Sequence, residues 1–466
     1  MKHLFYSLFA AGLLLTATAC DDQLDIKPLG KTTLDKVEDL ESLLNQRPIL
    51  SVGDDFNEME ALCGNMYHNW KGLDEVTGNP NSLTYAIYYC DETVDRANLT
   101  TSDDRYTQLY ENINYMNVVI SKMADAAGDA TRKPQLVAEA RVWRAWYHFL
   151  LVNRYAQQYD PATAEQLGGI AYVDNTHVGE QKTKLTLAET YSRILEDCSD
   201  EVLADLIPHH VDDPCRFGLD FGYGVRARVL FQMKRYDEAL TYANKALQVN
   251  PTIEDRSTIA NTWNWLLSYD APNNYQLIYA DNSNLGDYYG ICVSPQVAAL
   301  ISPYDYINAY VWGAWGAPYP ALPDGALQCS VSDIRFNVWG LRSESMYYLA
   351  AECLIRSGKV REGLTQVDRV RNLRIENNES YAAQADALDE ASAMQLLQDA
   401  KRLEFLNTFE NFFDRKRWNS ESAYAADVVH LKMDGSQVVL KPNSPLWVFP
   451  FPQNAVLYNS SLTQNF

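Results

Sequence analysis

Aromatic side chains gathered in one stretch are the residues of this sequence that best fit a binding chemistry. Trp312 and Trp315 stand three residues apart in a glycine-rich stretch, where small neighbours leave large rings uncovered. An exposed flat ring can cover the apolar C–H face of a sugar while polar neighbours bond to its hydroxyl groups. We therefore predict ligand contacts by Trp312 and Trp315, with Tyr304 and Tyr319 close by in the chain.

The alternative for these rings is a structural role, as the small core of a part of the chain that has few aliphatic residues. The whole chain is nevertheless rich in aromatic residues, since 30 Tyr, 10 Trp and 15 Phe make up 12% of it. A core alone rarely requires so many amphipathic rings, so this composition favours a binding surface.

Other chemistries have weaker signals. His209 and His210 are adjacent and therefore point apart, and no helical i,i+4 spacing of metal ligands accompanies them, so we predict no metal site. The glycines at 218, 222 and 224 lack nucleotide-loop spacing, and we predict no cofactor. No Ser, Cys or His motif of a hydrolase stands out. A glycosidase needs two positioned carboxylates, and a count of 61 acidic residues neither identifies nor excludes such a pair.

The N-terminus has the pattern of an export signal. Lys2 and His3 precede an apolar run from Leu4 to Leu15, which is too short to span a bilayer and has the length of a signal-peptide core. Small residues then lead to Cys20. We predict a signal peptide over residues 1–19 and lipid attachment at Cys20, with ordinary cleavage beside a chance cysteine as the alternative.

Charge and cysteine content narrow the class further. With 39 Lys+Arg against 61 Asp+Glu, the net charge of −22 argues against nucleic acid as a partner, because phosphate binding needs a basic face. The seven cysteines after Cys20 never form a C-x-x-C pair, which indicates neither a zinc site nor a dense disulfide framework. Buried free thiols are the simpler interpretation, although one or two disulfides are compatible with export.

Most of the chain has helical periodicity. Apolar residues from Gln135 to Tyr155 recur at three- and four-residue steps and predict one helix with an inward face. Thr186 and Glu189 form a capping box, which predicts a second helix that runs until just before Pro208. Strand-like alternation is sparse and includes 437–440.

Two segments share a repeat of small residues. Ala227, Ala239, Ala243 and Ala246 have tetratricopeptide spacing, and Ala351 and Gly363 repeat its start more weakly. The stretch between the segments is rich in Pro and Gly, and loops of this size are usually functional. We predict an N-terminal helical part over residues 20–250, a loop-rich aromatic insert over 251–340 and a C-terminal part over 341–466.

Several motifs in order resemble the SusD/RagB family of Bacteroidetes surface lipoproteins. The opening from Cys20 to Pro28 is similar to that family's C…LD…P start, and Asp21 and Asp22 resemble its surface-export signal. The segments 138–155 and 168–173 resemble the long family helix and the G-x-P strand after it, with Ala171 in place of Pro.

The C-terminal part carries the rest of the resemblance. Lys401 to Glu404, followed by Asp414, Arg417 and Trp418, is similar to the family's R-R-x-E…D…R-W, whose charges pin a helix pair; Asn411 stands where an Arg is common. The end from Phe449 to Asn465 is similar to the family's P-x-P…N…Q-N.

The resemblance implies a mostly α fold, in which tetratricopeptide-like helix pairs form a right-handed helical body with a loop-rich irregular subdomain inserted. It implies a surface lipoprotein of the outer membrane that binds oligosaccharide and delivers it to a SusC-like TonB-dependent transporter. Trp70 lies in an early loop of the kind that lines the family's site and joins the predicted ligand contacts. Members of the family are binding proteins, so the resemblance implies that this protein is not an enzyme. A peptide-binding lipoprotein of the same fold and a secreted glycoside hydrolase remain the alternatives.

Overall fold

The computed structural model describes residues 34–45, 53–67, 79–177, 179–209, 216–258, 271–278, 292–306, 325, 327–328, 337–406, 408–431 and 436–466. Its α-helices, in chain order, are α1 Val37–Leu44, α2 Gly53–Leu62, α3 Leu83–Tyr88, α4 Arg96–Leu99, α5 Asp104–Lys122, α6 Lys133–Tyr155, α7 Leu187–Asp197, α8 Asp200–Leu203, α9 Leu219–Gln232, α10 Tyr236–Val249, α11 Pro295–Ala298, α12 Ser343–Arg356, α13 Val360–Arg371, α14 Glu390–Glu404, α15 Phe409–Asn419 and α16 Gln453–Tyr458. Its strands are β1 Met66–Tyr67, β2 Gly168–Ala171, β3 Lys184–Thr186, β4 Asn274–Gln276, β5 Cys292–Val293, β6 Leu327–Gln328, β7 Leu341–Arg342, β8 Val428–Leu431 and β9 Gln437–Leu440. The predicted mostly helical fold is confirmed.

Helix α6 is the centre of the largest core. It packs against α5, α7 and α9, and its second half is buried on every side rather than on the one face that the periodicity predicts. Trp146 stacks on Phe149 and donates a hydrogen bond from Nε1 to the carbonyl of Trp339 at 2.8 Å. Trp339, although it belongs to the aromatic insert by sequence, is 2% exposed and therefore serves the core.

The capping box at Thr186 starts α7 as predicted, because Thr186 and Glu189 satisfy each other's backbone groups. The predicted end of this helix was wrong. The helix stops at Asp197, and Ser199 is extended before the short α8 begins. Arg226 of α9 donates to the carbonyls of Leu195 and Cys198, so a neighbouring helix satisfies the acceptors that a longer α7 would have used.

The two repeat segments form equivalent helix pairs, α9 with α10 and α12 with α13. Each turn has a left-handed residue two positions after its first helix, Lys234 with φ 62° and Gly358 with φ 79°. Gly363 permits a close approach in the second pair, because a Cβ there would lie 2.7 Å from the Ala351 carbonyl oxygen. Helix α10 packs on α12, so the repeat is interrupted in sequence and continuous in space.

Buried charges fasten the C-terminal signature. Lys401 lies 2.5 Å from Asp414, and Arg417 lies 2.6 Å from Glu352 of α12. The basic residues Lys416 and Arg417 lie in the last turn of α15, where cations complement the helix dipole, and they are buried at 3% and 0% exposure. Lys416 donates to the carbonyls of Asn153 and Ala156, so it caps the C-terminus of α6.

Small antiparallel sheets account for the described strands. The pairs β2–β3, β4–β7 and β8–β9 are two-stranded, and the last confirms the strand predicted at 437–440. Cys63, Cys198 and Cys353 are buried free thiols, which agrees with the simpler interpretation of the cysteines after Cys20. The domain boundaries at 250 and 340 stay a prediction.

Candidate functional site

A three-stranded sheet joins the chain segments that lead to the predicted aromatic contacts. Strand β5 pairs with both β1 and β6 in antiparallel register, with Cys292 opposite Tyr67 and Gln328. Trp70 follows β1 by three residues, and Tyr319 precedes β6 by eight. The segments that carry Trp70 and Tyr319 thus leave from and return to one small sheet.

The C-terminal signature anchors this sheet. Arg402 of α14 donates to the carbonyl of Gly64 at 3.0 Å and to Oδ1 of Asn65 at 2.5 Å, in the turn just before β1. Ser294 donates to the same Gly64 carbonyl from its Oγ at 2.7 Å, just after β5. A charged motif more than three hundred residues away therefore fixes the base of the sheet.

Tyr304 is the predicted ligand residue that the structure describes, and its side chain is 64% exposed. Its carbonyl accepts a hydrogen bond from the backbone N–H of Glu376 at 2.9 Å, and the backbone N–H of Tyr306 donates to the carbonyl of Arg374 at 3.0 Å. A rigid backbone therefore presents an uncovered ring. Trp70, Trp312, Trp315, Tyr319 and the predicted lipid-bearing Cys20 lie outside the described residues.

A buried ion cluster supports the backbone at Arg374. Arg374 lies 2.8 Å from both Glu344 and Glu404, and Arg342 lies 3.2 Å from Glu404. Burial by itself would raise the pKa of Glu404, but the surrounding arginines outweigh it and lower the pKa to about 2. Glu404 therefore stays ionised near neutral pH, and its ion pair with Arg374 holds the backbone that hydrogen-bonds to Tyr306.

A groove of about 600 Å³ opens on the helical body, between α5, the segment 171–182 and the C-terminal residues 454–462. Four tyrosines line it, namely Tyr106, Tyr110, Tyr115 and Tyr458. This groove is not among the sites predicted from the sequence. The four-residue step from Tyr106 to Tyr110 and on to Asn114 is a local signal for one wall, but the other walls come from distant parts of the chain.

Buried polar contacts hold the groove's floor. The Tyr110 hydroxyl donates to the carbonyl of Ala171 at 2.8 Å, and Asn117 donates to the carbonyls of Val173 and Asn175, both at 3.1 Å. Nε2 of His148 accepts from the backbone N–H of Val173 at 3.1 Å. Burial lowers the pKa of His148 to about 3, so the ring is neutral and can accept this bond.

The described residues contain no metal-binding cluster and no membrane-spanning helix. Nδ1 of His209 is hydrogen-bonded to the Asp220 carboxylate, and no group of His, Cys, Asp or Glu in the described part of the chain is arranged to hold a metal ion. Over those residues, no helix is long and apolar enough to cross a membrane.

Comparison with protein families gives three matches. A family model described as "Starch-binding associating with outer membrane" matches residues 23–230, and the SusD family model matches residues 337–466. The chain belongs to the SusD/RagB family. A tetratricopeptide repeat model matches residues 221–253, which contain the α9–α10 pair. SusD/RagB proteins are known as binding proteins.

Solved structures share the SusD fold at low sequence identity. A SusD superfamily protein from Bacteroides thetaiotaomicron has a TM-score of 0.72 at 16% identity, covering 92% of this chain and 100% of that chain. A putative sugar binding protein from Bacteroides vulgatus has a TM-score of 0.69 at 15% identity, covering 93% and 99%. A SusD-like carbohydrate binding protein from the same species has a TM-score of 0.64 at 15% identity, covering 92% and 97%. No curated protein sequence matches the chain significantly.

Proposed function

We propose that this SusD/RagB protein is a cell-surface lipoprotein that binds oligosaccharide and delivers it to a TonB-dependent outer-membrane transporter. The observation that carries the proposal is the match of residues 23–230 to a family described as starch-binding and associated with the outer membrane. Two structural neighbours are described as sugar or carbohydrate binding proteins, which agrees with this ligand class.

The ligand contacts that we propose are Trp312, Trp315, Trp70, Tyr304 and Tyr319. The sheet β1–β5–β6 supports the grouping, because it gathers the described ends of the segments that carry Trp70 and Tyr319. The exposed ring of Tyr304 supports it as well, since an uncovered aromatic ring on a fixed backbone binds with little loss of conformational entropy.

Substitution of the tryptophan pair tests the ligand site. Each stacked ring contributes on the order of 1–2 kcal/mol, so Trp312→Ala or Trp315→Ala weakens oligosaccharide binding roughly five- to thirty-fold. Calorimetric titration with maltoheptaose, cellohexaose and xylohexaose measures the loss, and thermal melting follows stability. The matched control is Trp339→Ala, in which removal of a core ring lowers the melting temperature.

Two results would overturn this assignment of the site. If both loop variants melt early, as Trp339→Ala does, and keep their glycan affinity, the rings belong to a core. If the bound oligosaccharide is cleaved on long incubation, the protein is a hydrolase. Binding of peptides in place of every glycan would favour the peptide-binding alternative.

The anchor is tested by Cys20→Ser. We expect the variant to leave the membrane fraction and to lose labelling on the intact cell surface, because lipid attachment needs the thiol of Cys20. Cys90→Ser is the matched control, since Cys90 is a half-buried cysteine within the fold. Unchanged membrane association of Cys20→Ser would refute the anchor.

The transporter partner is tested by affinity purification from mild detergent. A specific complex of this kind buries more than about 1,000 Å² and survives purification. We expect a large outer-membrane barrel protein to be recovered with the chain. Recovery of the chain alone, from cells that express its whole operon, would contradict delivery to a transporter.

A further inference from the structure

The tyrosine-lined groove on the helical body has two tyrosine rings on its inner wall and two exposed tyrosine rings at its rim. Tyr106 and Tyr110 form an inner wall, with ring centroids 4.8 Å apart, while Tyr115 and Tyr458 are 39% and 55% exposed at the rim. Rings of this kind cover apolar C–H surface and leave polar edges in contact with water. A ligand with apolar faces and polar edges would match them.

The polar groups of the groove fit a ligand that is rich in hydroxyls. Asn114 and Asn454 line it beside the tyrosines with amide N–H groups that can donate to a ligand, whereas the amides of Asn175 and Asn459 bond within the protein to Glu180 and Lys182. The volume of about 600 Å³ lies within the range of about 300–1,000 Å³ that is usual for small-ligand sites. The groove can therefore take a short chain of sugar units.

The charges of the groove indicate that the ligand is neutral. Glu111 and Glu180 bring two carboxylates to the lining. The lining lysine, Lys182, has its Nζ 3.3 Å from both Asp174 and Glu180, so its positive charge is already compensated. An anionic ligand would meet net repulsion, whereas a neutral one would not.

Hydrogen bonds hold the groove's outer walls to each other. Asn459 donates to the carbonyl of Lys182 at 2.6 Å, Lys184 donates from its backbone N–H to Oγ of Ser461 at 2.9 Å, and Gln181 donates to the carbonyl of Tyr458. A site that is already formed loses little free energy to ordering when a ligand binds.

We infer that this groove is a binding site for a neutral oligosaccharide, formed by residues other than the aromatic contacts proposed above. Tyr115 and Tyr458 cover the apolar faces of the sugar units, and the amide groups of Asn114 and Asn454 bond to their hydroxyls. The site does not depend on the segments that carry Trp70, Trp312 and Trp315, so the protein holds a glycan at two places.

The full chain in detergent tests the inference with two measurements. Maltoheptaose, cellohexaose, xylohexaose and mannohexaose serve as neutral probes, and hexagalacturonate is the anionic control. Titration calorimetry gives affinity and stoichiometry. Nitration of tyrosines by tetranitromethane, located by mass spectrometry, reports whether a bound sugar covers Tyr115 and Tyr458.

We expect at least one neutral probe to protect Tyr115 and Tyr458 from nitration and hexagalacturonate to leave both reactive. Tyr115→Ala should weaken this binding roughly ten-fold, while Tyr115→Phe, which keeps the ring, should retain most of it. The variant Trp312→Ala/Trp315→Ala should keep the protection at the groove.

Other outcomes separate this site from the proposed function. Affinity lost only in the tryptophan variant, with Tyr115 and Tyr458 reactive throughout, overturns the groove and leaves the loop site. Affinity lost only in Tyr115→Ala supports the groove and overturns the proposed loop site. If no neutral probe binds, or if only hexagalacturonate protects the tyrosines, the groove is not the site inferred here.

Discussion

Lowering the pH from 7 to 5 should destabilise this protein through His148. The side chain is 0% exposed, its Nδ1 lies 2.9 Å from the carbonyl of Arg144 and its Nε2 accepts from the N–H of Val173. The neutral ring with its proton on Nδ1 satisfies both partners. A second proton on Nε2 would face the N–H of Val173, and the buried charge would also lie beside Arg144.

The magnitude follows from the difference between the folded and unfolded states. Burial lowers the pKa of His148 from 6.5 to about 3, so between these values the unfolded chain binds a proton that the folded chain does not. Stability therefore falls as pH falls through this window. One pKa unit corresponds to about 1.4 kcal/mol, which gives a loss of about 2 kcal/mol between pH 7 and pH 5.

Other titratable groups also make stability depend on pH, and their contributions can be separated from that of His148. Glu352 and Glu404 have pKa values lowered to about 2, so their contribution is lost only below the ordinary carboxylate pKa of 4.5. Burial lowers the pKa of His430 to about 4, which adds a loss of the same sign. The pKa of His209 is raised by its hydrogen bond to Asp220, which stabilises the fold at low pH and is lost as pH rises through the raised value.

Urea unfolding of the wild type and His148→Gln at pH 7, 6 and 5 isolates the His148 contribution. The variant loses the ring that stacks on Tyr172 at 3.8 Å, so it is less stable at pH 7, but its stability should fall by about 2 kcal/mol less between pH 7 and pH 5. His177→Gln, at an exposed position, is the control for exchanging a histidine for glutamine. Equal slopes for the wild type and His148→Gln would refute the account of His148.

Two further predictions concern the helical body. Gly363→Ala should destabilise the protein by about 1–3 kcal/mol, because the new Cβ would lie 2.6 Å from Cγ1 of Ile355. Gly179→Ala, where a Cβ would meet no atom within 4 Å, should change the urea midpoint little. Equal effects of the two substitutions would contradict the close approach of α12 and α13. Arg417→Met should reduce stability by about 3–5 kcal/mol, because it leaves Glu352 partly unpaired in the core. Arg235→Met, which breaks an exposed pair with Glu238, should reduce stability by less than about 1 kcal/mol. A small effect of Arg417→Met in thermal melting would show that Arg356 alone satisfies Glu352.

Local patterns of the sequence determined the helices and their pairing. The capping box at Thr186, the apolar steps of α6 and the alanine spacing of α9–α10 each depend on residues a few positions apart in the chain. Contacts within one or two helical turns control such features, so spacing alone predicts them. Five motifs in order similarly determined the family.

Tertiary structure decided which residues from distant parts of the chain contact each other. Where α7 ends, Arg226 of α9 donates to the carbonyls of Leu195 and Cys198. The buried Lys416 of α15 likewise donates to carbonyls at the end of α6. The tyrosine groove combines α5 with two segments from elsewhere in the chain, and no local spacing encodes that meeting. The sequence determined which elements form, whereas the packing of remote elements decided where polar groups find their partners, since a buried donor or acceptor must be satisfied wherever the chain provides one.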